Sequence, residues 1–208
     1  MAASFSNDRK VRQVFDSFLV VCEGETEVNY LKGYKQTLSR EKQRTLKIEP
    51  VKAVGTDCLS IVNEAITRLK AAKRENIPFK EVWAFFDDDN QPEIVNAFSK
   101  AKANGIRIAF SSICLELWFL LHFEYTSRQF MDSDEVTSVL KNHWSDYRKP
   151  AFDSWARLKA NTLTAKTNSL KLRKATCSST DLECHNPFTN IDLMLESIGF
   201  NHNIKSEI

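Results

Sequence analysis

Residues 15–31 read FDSFLVVCEGETEVNYL, and this stretch decides the fold. Phe15 to Cys22 close in a compact apolar run, Gly24 interrupts it, and from Thr26 to about Arg40 the apolar positions move to helical spacing. That is one step from a buried strand into a helix. The same step recurs downstream. Leu46 to Val54 (LKIEPVKAV) alternates like a strand, with Pro50 marking an edge or a bulge. GTDC then opens a helix, with Thr56 or Asp57 as N-cap and Leu59, Val62, Ile66 and Leu69 on one face. Val82 to Phe86 form a third apolar run ending at Asp87; Pro92 starts a helix through Ala103 that Asn104 and Gly105 close, and Ile106 to Phe110 form a fourth strand. Strands alternating with helices predict an α/β fold, a mainly parallel four-stranded sheet flanked by helices. From Leu115 the pattern is helical: Leu115 to His122, Asp134 to Lys141, a long helix from Phe152 to about Lys174, and Ile191 to Ile198. The expected division is a core over residues 1–125 and a C-terminal helical extension over 126–208, packed on that core.

Composition narrows the function classes. The chain has 208 residues, 42% hydrophobic and 27% charged, enough to bury a substantial core and too apolar for a disordered or fibrous chain. A formal charge of +2 means that attraction to a polyanion must come from a local patch. The five cysteines, Cys22, Cys58, Cys114, Cys177 and Cys184, contain no CxxC pair and fit a reduced, cytoplasmic protein. The N-terminus lacks an apolar signal segment, and the strongest apolar stretch, Leu115 to Phe123, is broken by Glu116 and His122, so neither a signal peptide nor a membrane span is expected. No GxxxxGK phosphate loop is present, Cys177, Cys184 and His185 lack zinc-site spacing, and Ser60 and Ser112 have no recognisable base nearby.

Three carboxylates fall where a parallel sheet places its ligands. Glu23 follows the first strand directly, and Asp87 and Asp89 follow the third. Two carboxylates about 4 Å apart repel by roughly 4 kcal/mol at an effective dielectric near 20, so such a group must take up protons or hold a cation. Oxygen ligands at this spacing suit Mg²⁺ or Mn²⁺. Glu27, four residues after Glu23, falls in the first helical turn and can point back to the same place. Singly, each acid is more often a turn residue or a complement to a helix dipole than a metal ligand; the joint pattern reverses that and favours a metal site.

FLVVCEGETEVNYL and VWAFFDDDN resemble the Toprim domain, the metal-binding fold of type IA topoisomerases, DnaG-type primases and OLD-family nucleases. SSICLELWFLLHFEY, DYRKP and NPFTNIDLMLESI resemble the RloB family, in which a Toprim-like core carries a helical C-terminal extension. The resemblance runs from Phe15 to about Ile198. It implies that Glu23 is the Toprim glutamate, that Asp87 and Asp89 are its DxD pair, and that Glu27 is the additional acid of the OLD-like variant. The family segment SNPxxE reads Ser111-Ser112-Ile113-Cys114-Leu115-Glu116 here, with Glu116 as a further candidate ligand.

Between Arg148 and Lys174 stand eight basic residues and one acid, Asp153, a candidate phosphate track that includes Arg148, Lys149, Arg157, Lys159 and Lys166. Tyr147, Phe152 and Trp155 interleave at its start as candidate base-stacking groups. The expectation is a Mg²⁺- or Mn²⁺-dependent nuclease acting on DNA or a structured RNA such as tRNA, with Glu23 as general base or acid and Lys149 and Arg157 as charge stabilisers. The resemblance also implies a phage-defence or restriction-associated role, often beside an ATPase. The alternative is a Toprim-like module that binds nucleic acid or a partner ATPase and regulates without cutting.

Overall fold

The computed structural model describes residues 16–88, 92–176 and 186–200. Among these residues the sheet has five strands, in the order β2, β1, β3, β4, β5: β1 (Asp16–Cys22), β2 (Leu46–Lys52), β3 (Glu81–Asp87), β4 (Arg107–Ser112) and β5 (Phe188–Thr189). The first four are mutually parallel, as the sequence predicts. The fifth is a correction to the four-stranded expectation. It is supplied by the C-terminal region and runs antiparallel to β4, with Ser111 opposite Thr189 and Ser112 opposite Phe188.

Alternation along β1 shows why its sequence is unbroken apolar. Phe18, Val20 and Cys22 point to one face with Trp83 and Phe85, while Leu19 and Val21 point to the other with Val82, Ala84 and Phe86. A strand buried on both faces has no polar side to display. Helices α3 (Cys58–Arg74) and α4 (Ile94–Asn104) cover the second face. The first is covered by α1 (Glu25–Thr37), α5 (Leu115–Leu120) and helices of the C-terminal region: α6 (Ser133–Lys141), α7 (Ser154–Leu158), α8 (Thr162–Thr176) and α9 (Ile191–Ser197). Asp57 caps α3 by accepting from the Ser60 amide at 2.8 Å, and Gly105, at φ 69°, terminates α4 in the left-handed conformation that glycine adopts without strain.

The β1-to-β2 connection passes over one face, whereas the β2-to-β3 and β3-to-β4 connections pass over the other. The winding therefore reverses between β1 and β3, and their carboxyl ends open onto a crevice, the usual ligand position in such sheets. Pro50 lies in edge strand β2, where a missing N–H costs no ladder bond on the open side.

Two local readings change. The single helix expected over residues 152–174 is α7 and α8 separated by a 3-10 turn, Lys159–Asn161; the Thr162 hydroxyl donates to the Lys159 carbonyl at 3.0 Å, a local bond that competes with helix continuation. A further helix, α2 (Arg40–Thr45), buries no residue and so leaves no apolar periodicity to read. The region after Tyr125 is not purely helical either. Asn190, following β5, donates through Nδ2 to the Ile108 carbonyl (3.1 Å) and accepts at Oδ1 from the Phe110 amide (2.7 Å), so a side chain extends the ladder along the β4 edge. Among the described residues no helix is long and apolar enough to cross a membrane. Cys22, Cys58 and Cys114 are buried and form no disulfide among the described residues; Cys177, Cys184 and His185 lie outside the described residues.

Candidate active site

Glu23, Glu27, Asp87, Glu116 and Lys149 meet at the β1–β3 crevice. Glu23 leaves β1, its amide still bonded to the Phe85 carbonyl (2.9 Å), and its Oε2 accepts from the Asp87 amide at 3.2 Å. Asp87 ends β3, and its Oδ2 accepts from the Leu115 amide at 3.4 Å. Glu27 folds back from the first turn of α1. A Cβ at Gly24 would stand 2.9 Å from Glu27 Oε2, so glycine there leaves room for the buried carboxylate. Asp88 accepts from the Ser112 hydroxyl at 3.3 Å, tying the end of β3 to that of β4.

The electrostatics follow from this crowding. Burial pushes the Asp87 carboxyl well above the usual range, with the charges of Glu23 and Glu27 pushing the same way and Lys149 opposing. Burial also raises Glu27; hydrogen bonds from its own amide and the Lys149 charge resist, while Glu116 adds to the rise. Carboxylates raised by one another will take protons or a cation.

Glu116, in the first turn of α5, is wholly buried, and its Oε1 accepts from both the Tyr147 hydroxyl and the Lys149 ammonium, the latter at 2.9 Å. Its Oε2 is buried with no hydrogen-bond partner among the described residues. Although partial burial lowers it, the Lys149 ammonium is held above the ordinary lysine range by Glu116, with Cys114 and Asp87 adding. Burial and Glu116 together raise the Tyr147 phenol, which therefore stays protonated as a donor.

Five of the acidic and basic residues expected at the centre are thus brought together, while Asp89 lies outside the described residues. Among the described residues no three His, Cys, Asp or Glu side chains form a metal-holding group. The basic segment divides. Arg148, Arg157, Lys159 and Lys174 are exposed. Lys166 instead pairs with Glu196, Lys171 lies 3.8 Å from the Tyr125 ring centroid, and Arg173 grips Asp192 through two nitrogens at 2.6 and 2.7 Å. Tyr147 and Trp155 are each 3% exposed, which corrects their reading as base-stacking groups: one is turned to Glu116, the other packs edge-on against Tyr30 and Tyr34. Phe152 alone of the three faces solvent. Sequence reasoning missed that Tyr147 is a partner of Glu116; its two-residue offset from Lys149 was the available signal, because both side chains reach the same carboxylate.

No curated protein matches the chain. A family model described as RloB-like protein matches residues 18–198, from within β1 through the end of α9, and includes every described residue of the acidic centre. The chain belongs to the RloB-like protein family.

Proposed function

We propose that the protein is a divalent-metal-dependent phosphodiesterase acting on nucleic acid, built on a Toprim-like core. The observation that carries this is the convergence of Glu23, Glu27 and Asp87 at the carboxyl ends of β1 and β3, with the Glu27 and Asp87 carboxyls pushed up by burial and by neighbouring carboxylates. Oxygen donors of this type suit Mg²⁺ or Mn²⁺; the described side chains do not by themselves form a closed metal-holding group, so an ion would have to draw Glu23, Asp87 and Glu27 together, with Asp89 and Glu116 as further donors. The metal would supply an activated water and neutralise charge on the leaving oxygen. The chain's own groups do the rest. Glu23 handles the proton of the attacking water, and Lys149, fixed by Glu116 and Tyr147, presents its charge to the scissile phosphate. Arg148, Arg157 and Lys159, which are exposed, bind flanking phosphates, whereas Lys166, expected in the same role, is taken up by Glu196. A defence or restriction-associated role beside an ATPase, and a cytoplasmic location, rest on the family resemblance and the cysteine pattern.

Incubating the purified chain with labelled DNA and RNA pools, structured RNAs such as tRNA included, under Mg²⁺ and Mn²⁺ tests the reading. Cleavage by wild type and none by Asp87→Ala is the expected result. A second reading, a non-cleaving module that regulates a nucleic acid or partner ATPase, is favoured by Lys149 and Tyr147 already occupying Glu116 Oε1. Nucleic-acid binding without metal-dependent cleavage would select it.

A further inference from the structure

Two cavities flank one exposed aromatic ring. The first, about 590 Å³, is bordered by Arg148, Lys149 and Arg157, with Trp144 among its walls. The second, about 390 Å³, is bordered by Asn29, Lys32 and Lys159. Phe152 lines both. It is 67% exposed, whereas its aromatic neighbours Trp144, Tyr147 and Trp155 are 8%, 3% and 3% exposed. Among the described residues it enters no ring contact, so the fold gains little from a phenyl group at this position. Five cations border the two cavities against two acids, Asp146 and Asp153. Lys149 joins the first cavity to the acidic centre, since its charge acts on both Asp87 and Glu27.

We propose that Phe152 is a stacking platform for one unpaired base, with the cations of the two cavities taking the phosphates on either side. The substrate class follows. Bases within a duplex are already stacked on their neighbours, and an aromatic side chain reaches a base face only in a single strand, a loop or an extruded nucleotide. A cavity of this size falls in the range of about 300–1,000 Å³ that encloses a small ligand, enough for a single nucleotide. The nucleic acid acted on therefore carries an unpaired nucleotide beside the reacting phosphodiester. This rests on the nucleic-acid reading above and specifies its substrate.

The test is a fluorescence titration of the full chain with single strands of about 12 nucleotides, DNA and RNA, each carrying a central 2-aminopurine, and with a duplex of the same length. Wild type should bind the single strands and quench the 2-aminopurine. Phe152→Ala should weaken single-strand binding by about 5- to 150-fold, the usual range for one lost stacking contact, abolish the quench and leave duplex affinity unchanged. Phe152→Trp should restore both. Wild-type affinity and quench in Phe152→Ala would overturn the proposal. If Arg157→Gln and Lys159→Gln still weakened binding in that case, the nucleic-acid reading would survive it. Absence of binding by every strand at low salt would overturn both.

Discussion

Glu116 is the residue on which the site turns. A fully buried carboxylate whose oxygen is shared by a phenol and an ammonium is stable only while both donors remain. Lys149→Met should therefore destabilise the chain by about 1–3 kcal/mol, and the double variant with Glu116→Gln should recover part of that loss in urea denaturation, because the uncompensated charge is gone. His122 sets a second dependence. Its Nδ1 lies 2.9 Å from the Trp118 carbonyl, and burial lowers the ring from 6.5 to about 4. Between those values the unfolded chain binds the proton and the folded chain does not, so this contribution is complete above about pH 6.5 and is lost as pH falls toward 4, about 3 kcal/mol in all. Denaturation at pH 7 and pH 4.5 should show a smaller loss in His122→Gln than in wild type. At this scale the sequence was most legible where chemistry follows directly from strand ends: Glu23, Glu27 and Asp87 are acids whose position needs only the strand-to-helix boundary. Tyr147 was misread because nothing local distinguishes an aromatic that faces a base from one turned onto a buried carboxylate 31 residues earlier.

At the scale of elements, the basic segment divides between α8, whose Arg173 is structural, and α7 with the turn that follows it, whose Arg157 and Lys159 are open. Arg173 binds Asp192 bidentately, and Ser169 donates to the same carboxylate at 2.8 Å, fastening α8 to α9 beneath β5. Asp192→Asn removes the charge that Arg173 faces and should cost about 3 kcal/mol. Neutralising Arg157 and Lys159 should instead leave stability nearly unchanged and reduce the slope of log affinity against log salt by up to about 2, since each lost phosphate contact contributes about 0.9. The opposite assignment, with Arg173→Ala altering the salt slope and the exposed pair altering only the melt, would remove the phosphate track. A run of basic residues does not disclose this division. The partners of Arg173 and Lys166 lie near residues 192–196, far enough along the chain that no helical spacing connects them. Helix α2 was invisible for a simpler reason, that a helix with no buried face has no apolar period.

For the whole molecule, the parallel order of the first four strands was readable because each is a short apolar or, in β2, alternating segment between helical segments, whereas β5, two residues long, carries no periodicity at all. The placing of like charges at the β1–β3 crevice is a global feature with a global consequence. Asp87 and Glu27 are raised above their unfolded values, so the folded chain binds more protons than the unfolded one just above the ordinary carboxylate range, and their contribution to stability falls as pH rises through it. Mn²⁺ at neutral pH should remove that penalty. Wild type should gain roughly 2.7 kcal/mol at a metal concentration a hundredfold above its dissociation constant, while Asp87→Asn should melt higher than wild type without metal and gain much less with it. Equal Mn²⁺-induced shifts in the two proteins would count against a metal at this centre.

The Asn190 contacts also bear on how the chain is made. During synthesis, β4 leaves the ribosome some eighty residues before the amide that bonds to Ile108 and Phe110. Through that interval one side of β4 presents bare N–H and C=O groups beside an apolar face, the condition under which nascent chains recruit one another. A nascent chain halted between Ser112 and Phe188 thus keeps that edge of β4 open to pairing with another chain. Stalled-ribosome pelleting should find it most strongly chaperone-bound there, with release once Asn190 has emerged.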